Sequence, residues 1–246
     1  MSHVLDDELE KLATACRLLE MFGHGDFTLG HLSFRDPDGR GFWMKRNAVG
    51  LGEIMGPDDF LLIDLQSGEV MDGKGGRHSE WPIHAEIFKA RPDINAVAHT
   101  HPRAVCLVSA MEEPLQPLVI EANYFEYPVP VFRDSAVLIK TSELGASLAR
   151  ALGSNFAVIM ANHGATFCGQ TIEATAMYGI WLEEACRAQL QLMATGARLR
   201  VPSAAELAER RKQILTDVHI SQSWNYAVRR LSLLQLENGG RPIFGR

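Results

Sequence analysis

Leu5, Leu9, Leu12, Cys16 and Leu19 recur three or four residues apart. That spacing lines one face of an α-helix and predicts an amphipathic first helix over about residues 4–22, stopped by Gly23 and Gly25. Short apolar runs at 27–35, 41–45, 60–65 and 68–72 follow, separated by glycine, proline and aspartate turns, which predicts an antiparallel set of strands. The pattern then becomes mixed. Residues 80–92 read as a helix, 94–101 as a strand, 102–111 as a helix and 127–132 as a short extended piece. A helix over 142–152, strands over 156–164 and 165–169, and a long helix over 171–195 come next, and two arginine-richer helical patterns at 204–220 and 223–236 close the chain. Without a repeat or a long linker, this order predicts a single α/β domain: a central, mainly antiparallel sheet with helices on its faces. Residues 1–200 form the catalytic part of this reading, and residues 201–246 a helical extension packing on the core or on a neighbouring subunit.

Composition narrows the function classes. The chain has 246 residues, 46% of them hydrophobic, and a formal charge of -6, so a sizeable core is available and nucleic acid is excluded as a partner. Cys16, Cys106, Cys168 and Cys186 are widely spaced and form no CxxC pair, which suits buried thiols in a reducing compartment. The acidic start "MSHVLDDELEKL" is unlike a signal peptide, and no apolar run reaches the roughly 18 residues of a membrane span. The expectation is a soluble, cytoplasmic protein.

The candidate chemistry begins at "INAVAHTHP", where an apolar strand ends in His99-Thr100-His101. Residues i and i+2 of a strand point the same way, so the two imidazoles project together and can share a cation. Read alone, the pair better suits two ordinary polar residues at a strand end. "VIMANHG" repeats the arrangement, with His163 where a second strand stops and Gly164 permitting a turn. "RHSEWPIH" places Glu80 in the first turn of a helix with Ser79 as its N-cap. A carboxylate there suits either acid/base work or simple stabilisation of the helix dipole.

The order "SEW..H", "NAVAHTHP" and "NHG" resembles the class II aldolase/adducin family, from about Leu5 to Thr195. The resemblance implies a three-layer α/β/α sandwich and a divalent metal (zinc, manganese, cobalt or iron) held by His99, His101 and His163. It also implies an acid/base carboxylate at Glu80 and a homotetramer acting on a small molecule. Three neutral histidines would leave the ion its positive charge and an open position, as Lewis-acid catalysis requires.

The substrate-side segments depart from those of the sugar-phosphate aldolases. In place of "GNxS", "TPSG" and "SSE" stand "GHLS", "KRNAVGLGEI" and "HSE", so the phosphate cradle is unmatched. His31, Arg77, His78 and Ser79 are the candidate substrate-binding residues, suited to a carboxylate or phenolate, with Lys45 and Arg46 as surface-charge alternatives. The "GH.S" turn looks more like the family's metal-dependent decarboxylases of hydroxylated aromatic or dienoic carboxylates. Tyr124 is the candidate for the tyrosine that aldolases of the family borrow from a neighbouring subunit. The function expected is therefore a metal-dependent carbon–carbon lyase, a decarboxylase ahead of an aldolase or epimerase. A non-catalytic adducin-like module and a non-haem iron oxygenase stand as readings of other classes.

Overall fold

The computed structural model describes residues 3–239; the outermost parts of the two expected segments, residues 1–2 and 240–246, lie outside the described residues. The strands are β1 (His31–Arg35), β2 (Phe42–Lys45), β3 (Phe60–Ile63), β4 (Val70–Asp72), β5 (Ala96–Thr100), β6 (Val131–Phe132), β7 (Ala157–Met160) and β8 (Gly164–Gly169). They join one eight-stranded sheet in the order β4-β3-β2-β1-β5-β8-β7-β6. Every neighbouring pair is antiparallel except β6 and β7.

Alternation along the strands sends side chains into two separate cores. Ala96 and Ala98 of β5 join one apolar cluster, and Val97 between them joins the other. The first cluster is covered by α1 (His3–Leu19), α3 (Arg103–Ser109), α5 (Ile172–Ala194) and α7 (Asp217–Glu237). The second is covered by α2 (Trp81–Ala90) and α4 (Ser142–Leu152). Helices on both faces of one sheet make the expected three layers. Leu5, Leu9, Leu12 and Leu19 of the first predicted helix are all almost completely buried, each contributing ~1.5–3 kcal/mol of apolar burial.

Several boundaries shift for local reasons. The first helix is α-helical only to Leu19 and continues as a wider π turn over Glu20–His24, where Gly23 has φ 88°. The strand expected at 27–35 starts at His31, because Leu29 closes a turn on Asp26 and Phe27 and Gly30 both take positive φ. The break between the last two helices falls earlier than expected. α6 (Ala204–Ile214) ends before Thr216, whose side chain accepts from the His219 backbone and caps α7, so residues 217–220 belong to the second helix. Trp224, Ala227 and Leu231 of α7 are buried in the first core, so this helix packs on its own chain. No helix among the described residues is long and apolar enough to cross a membrane.

Candidate functional site

Register builds the site. β1 pairs with β5 so that His31 stands directly opposite His99, and both point to the α2 face. His101 follows the end of β5, and His163 lies in the turn from β7 to β8. The ring centroids of His99, His101 and His163 form a near-equilateral triangle with sides of 4.7, 4.9 and 5.1 Å. The tightness of this corner explains Gly164. The positive φ of the turn is taken by Asn162, not by the glycine. A Cβ on Gly164 would instead lie 2.6 Å from the Thr100 carbonyl oxygen and 2.8 Å from the His101 ring.

The hydrogen bonds decide what this triangle can hold. His99 is completely buried, and its Nδ1 lies 3.0 Å from the Ala165 carbonyl oxygen. A carbonyl only accepts, so Nδ1 carries the proton and Nε2 presents a lone pair. His101 Nδ1 lies 3.0 Å from an Asp26 carboxylate oxygen, which fixes that ring the same way. The two Nε2 atoms then face each other at 2.9 Å. Two lone pairs at that distance repel unless a positive charge lies between them, and a nitrogen of His163 stands within 4.8 Å of both rings' ligand atoms. Burial drives the His99 pKa well below its ordinary value and that of His163 to about 4, with neighbouring histidines adding to each, so both are neutral as metal ligands must be. The donor set fits a divalent ion.

Glu80 occupies the N-cap position of α2, one residue after the expected cap Ser79, and its side chain does not cap the helix. Its Oε1 instead accepts from the Ile139 backbone N–H at 2.8 Å. That leaves Oε2 beside the histidines, 3.9 Å from His99 Nε2 and 4.0 Å from His163 Nε2. Burial raises the Glu80 pKa, and the Ile139 bond opposes it only in part. The carboxyl is thus held by one oxygen and biased towards keeping a proton.

The remaining candidates divide. His31 and His78 are buried with ring centroids 4.5 Å apart, and a ring nitrogen of His31 lies within 4.8 Å of Glu80 and His99. Burial lowers the pKa of both, that of His78 to about 3, and His78 Nε2 is buried without a hydrogen-bond partner. The Arg77 guanidinium stacks over Trp81 at 5.2 Å, and Ser79 is exposed. Tyr124 lies flat on Trp181, centroids 3.5 Å apart, in the first core. Lys45 is fully buried and donates to the carbonyls of Thr28, Arg46 and Val49, while Arg46 pairs with Asp59 at 3.0 Å. Those two cations clamp loops.

Sequence reasoning missed Asp26, Ser33 and His84. Asp26 orients His101 from far along the chain, and nothing in its local sequence marks it. His84 lies in the quoted "SEW..H" pattern, and its helical position facing β1 was the available signal.

Residues 10–190 match the family model described as Class II Aldolase and Adducin N-terminal domain. Among curated proteins the chain is similar to the 3,4-dihydroxyphthalate decarboxylase of Arthrobacter keyseri, 29% identical over 81% of this chain and 84% of that one. It is also similar to the 4-hydroxy-3-prenylphenylpyruvate oxygenase/4-hydroxy-3-prenylbenzoate synthase of Streptomyces roseochromogenus subsp. oscitans, 32% identical over 72% of this chain and 65% of that one. Among solved structures it is similar to the L-fuculose 1-phosphate aldolase from Glaciozyma antarctica PI12, with a TM-score of 0.82 and 26% identity over 96% of this chain and 94% of that one.

Proposed function

The chain belongs to the class II aldolase and adducin family, and from that premise we propose that it is a metal-dependent carbon–carbon lyase, a decarboxylase of a hydroxylated aromatic or dienoic carboxylic acid. The observation that carries this reading is the pair of Nε2 lone pairs of His99 and His101 meeting at 2.9 Å beside the buried carboxyl of Glu80. His99, His101 and His163 would hold one divalent ion, which supplies a positive charge to stabilise the electrons left when a carbon–carbon bond breaks.

The chain's own residues do the rest. Glu80 is pinned through Oε1 by Ile139 and keeps Oε2 free. With its pKa raised by burial, it can carry a proton to the reacting carbon as carbon dioxide leaves, so that a C–H bond replaces the C–CO2 bond. His31, Arg77, His78 and Ser79 are assigned to substrate binding; His31 has a ring nitrogen near Glu80 and His99, and the buried His78 ring lies against it, which supports that role for these two. Tyr124, stacked in the core, is assigned no proton transfer. Residues 1–200 are the catalytic domain and 201–246 an extension. A homotetramer would cover exposed apolar residues such as Phe27 and Leu138, and four unpaired cysteines suit the cytoplasm.

The test is a panel of hydroxylated aromatic and dienoic carboxylates, followed for carbon dioxide, aldehyde and oxygen uptake, on protein purified without chelator. Carbon dioxide release that stops on chelation is expected. Aldehyde release would select the aldolase alternative. Oxygen uptake would select the second reading, which the similarity to the Streptomyces oxygenase favours. A metal-free, chelator-indifferent protein would make it a structural module. Glu80→Gln is expected to lower turnover ~10²–10⁴-fold with the metal retained; full activity in that variant would remove Glu80 from the chemistry.

A further inference from the structure

Three buried side chains behind the site form a hydrogen-bonded line. Ser33 stands two residues after His31 on β1, so both point to α2, where His84 lies between them. Ser33 Oγ is 2.6 Å from His84 Nδ1, and His84 Nε2 is 2.7 Å from His31 Nδ1. Ser33 and His84 are completely buried and His31 nearly so.

A line of this kind can be ordered in only two ways. In one, Ser33 donates to His84 Nδ1, His84 Nε2–H donates to His31 Nδ1, and His31 carries its proton on Nε2. In the other every proton is reversed, His31 Nε2 is bare, and the serine hydroxyl must donate elsewhere. The acceptor present for that second order is the Val97 carbonyl, at 3.5 Å. The first order puts the serine proton into the 2.6 Å contact and is favoured, because a buried hydroxyl left with a long, weak bond is destabilising.

The geometry points to Ser33 and His84 as positioning residues that lock His31 in the neutral form protonated on Nε2, making it a hydrogen-bond donor to an anionic substrate oxygen and not a metal ligand. This rests on the reading of His31 as a substrate-binding residue. Specificity follows: a substrate that presents a carboxylate or phenolate oxygen here is accepted, and one that presents only a donor leaves His31 unpaired.

The experiment has two arms on the full-length, zinc-loaded protein. A neutron diffraction map is expected to show hydrogen on His31 Nε2 and none on Nδ1; hydrogen on Nδ1 with Nε2 bare overturns the inference, whatever reaction the enzyme performs. In the second arm, dissociation constants are measured for protocatechuate and for catechol, which lacks the carboxylate. Ser33→Ala is expected to weaken protocatechuate at least about 10-fold, with zinc stoichiometry unchanged and Ser33→Thr restoring binding to near the wild-type value. Weakening of protocatechuate alone identifies the carboxylate as the acceptor, and equal weakening of catechol identifies a ring oxygen. Unchanged binding of both probes in Ser33→Ala overturns the positioning role. So does a failure of Ser33→Thr to rescue, which would mark Ser33 as structural. If Ser33→Ala does not fold, His84→Gln, which keeps a donor and an acceptor, is held to the same readouts. Failure of the lyase reading shows separately, as a panel without turnover beside an intact His31 proton assignment.

Discussion

At the residue scale, the site depends on side chains that fix protons on their neighbours. Asp26 and the Ala165 carbonyl each accept a hydrogen bond from a ring Nδ1–H, and that leaves the Nε2 lone pairs of His101 and His99 free for a cation. Asp26 is part-exposed and lies outside the packed core, so Asp26→Ala is expected to fold normally and to lose metal affinity ~10–100-fold. Competition with a chromogenic chelator measures this, and an unchanged affinity would mean that Asp26 does not orient His101. Gly164→Ala acts on the same ring from the other side. Its Cβ would meet backbone at Thr100, which yields little, and the His101 ring, which must therefore move. Reduced metal stoichiometry is expected, together with some loss of stability.

At the element scale, α3 starts two residues after His101, and its first turn is anchored from α5. Both carboxylate oxygens of Glu183 accept there, from the Ala104 N–H at 3.1 Å and the Val105 N–H at 3.0 Å. These are orphan donors of a helix N-terminus, and a negative charge there is favourable. Burial raises the Glu183 pKa against those bonds. Removing the carboxylate in Glu183→Ala leaves two buried donors unsatisfied and is expected to cost about 2–4 kcal/mol. Urea unfolding checks the value, and a loss below about 0.5 kcal/mol would show that solvent or another group replaces it.

At the scale of the whole molecule, the centre of the sheet is dense in histidines held neutral. Burial lowers His24, His78 and His84 to about 3 in each case. The unfolded chain takes up those protons near pH 6.5, so between about pH 3 and 6.5 it binds more protons than the folded chain. Stability is therefore complete above about pH 6.5 and falls on acidification, by up to ~1.4 kcal/mol per pH unit for each such histidine. Glu80 and Glu183, with raised pKa values, slope the opposite way but are fewer. A lower urea midpoint at about pH 5.5 than at about pH 7.5 is the expected result for metal-stripped protein. Equal midpoints would contradict neutral, buried histidines.

The sequence by itself determined the layers and the mainly antiparallel sheet, because each rests on a short-range period, and it singled out His99, His101 and His163 as a set through the family resemblance. Apolar residues three and four apart mark α1, and the local signals for the histidines are the i, i+2 spacing of His99 and His101 at the end of β5 and the place of His163 in the turn after β7. Tertiary structure alone decided what surrounds that trio. Whether Glu80 caps its own helix or turns to Ile139, which acceptor orients His101, and that His31 stands opposite His99 with Ser33 and His84 behind it are all matters of pairing between distant segments. Local periodicity carries no register between strands, and a one-residue slip of β1 against β5 would turn His31 to the other face of the sheet. The proton positions that give this site its chemistry are set by those contacts.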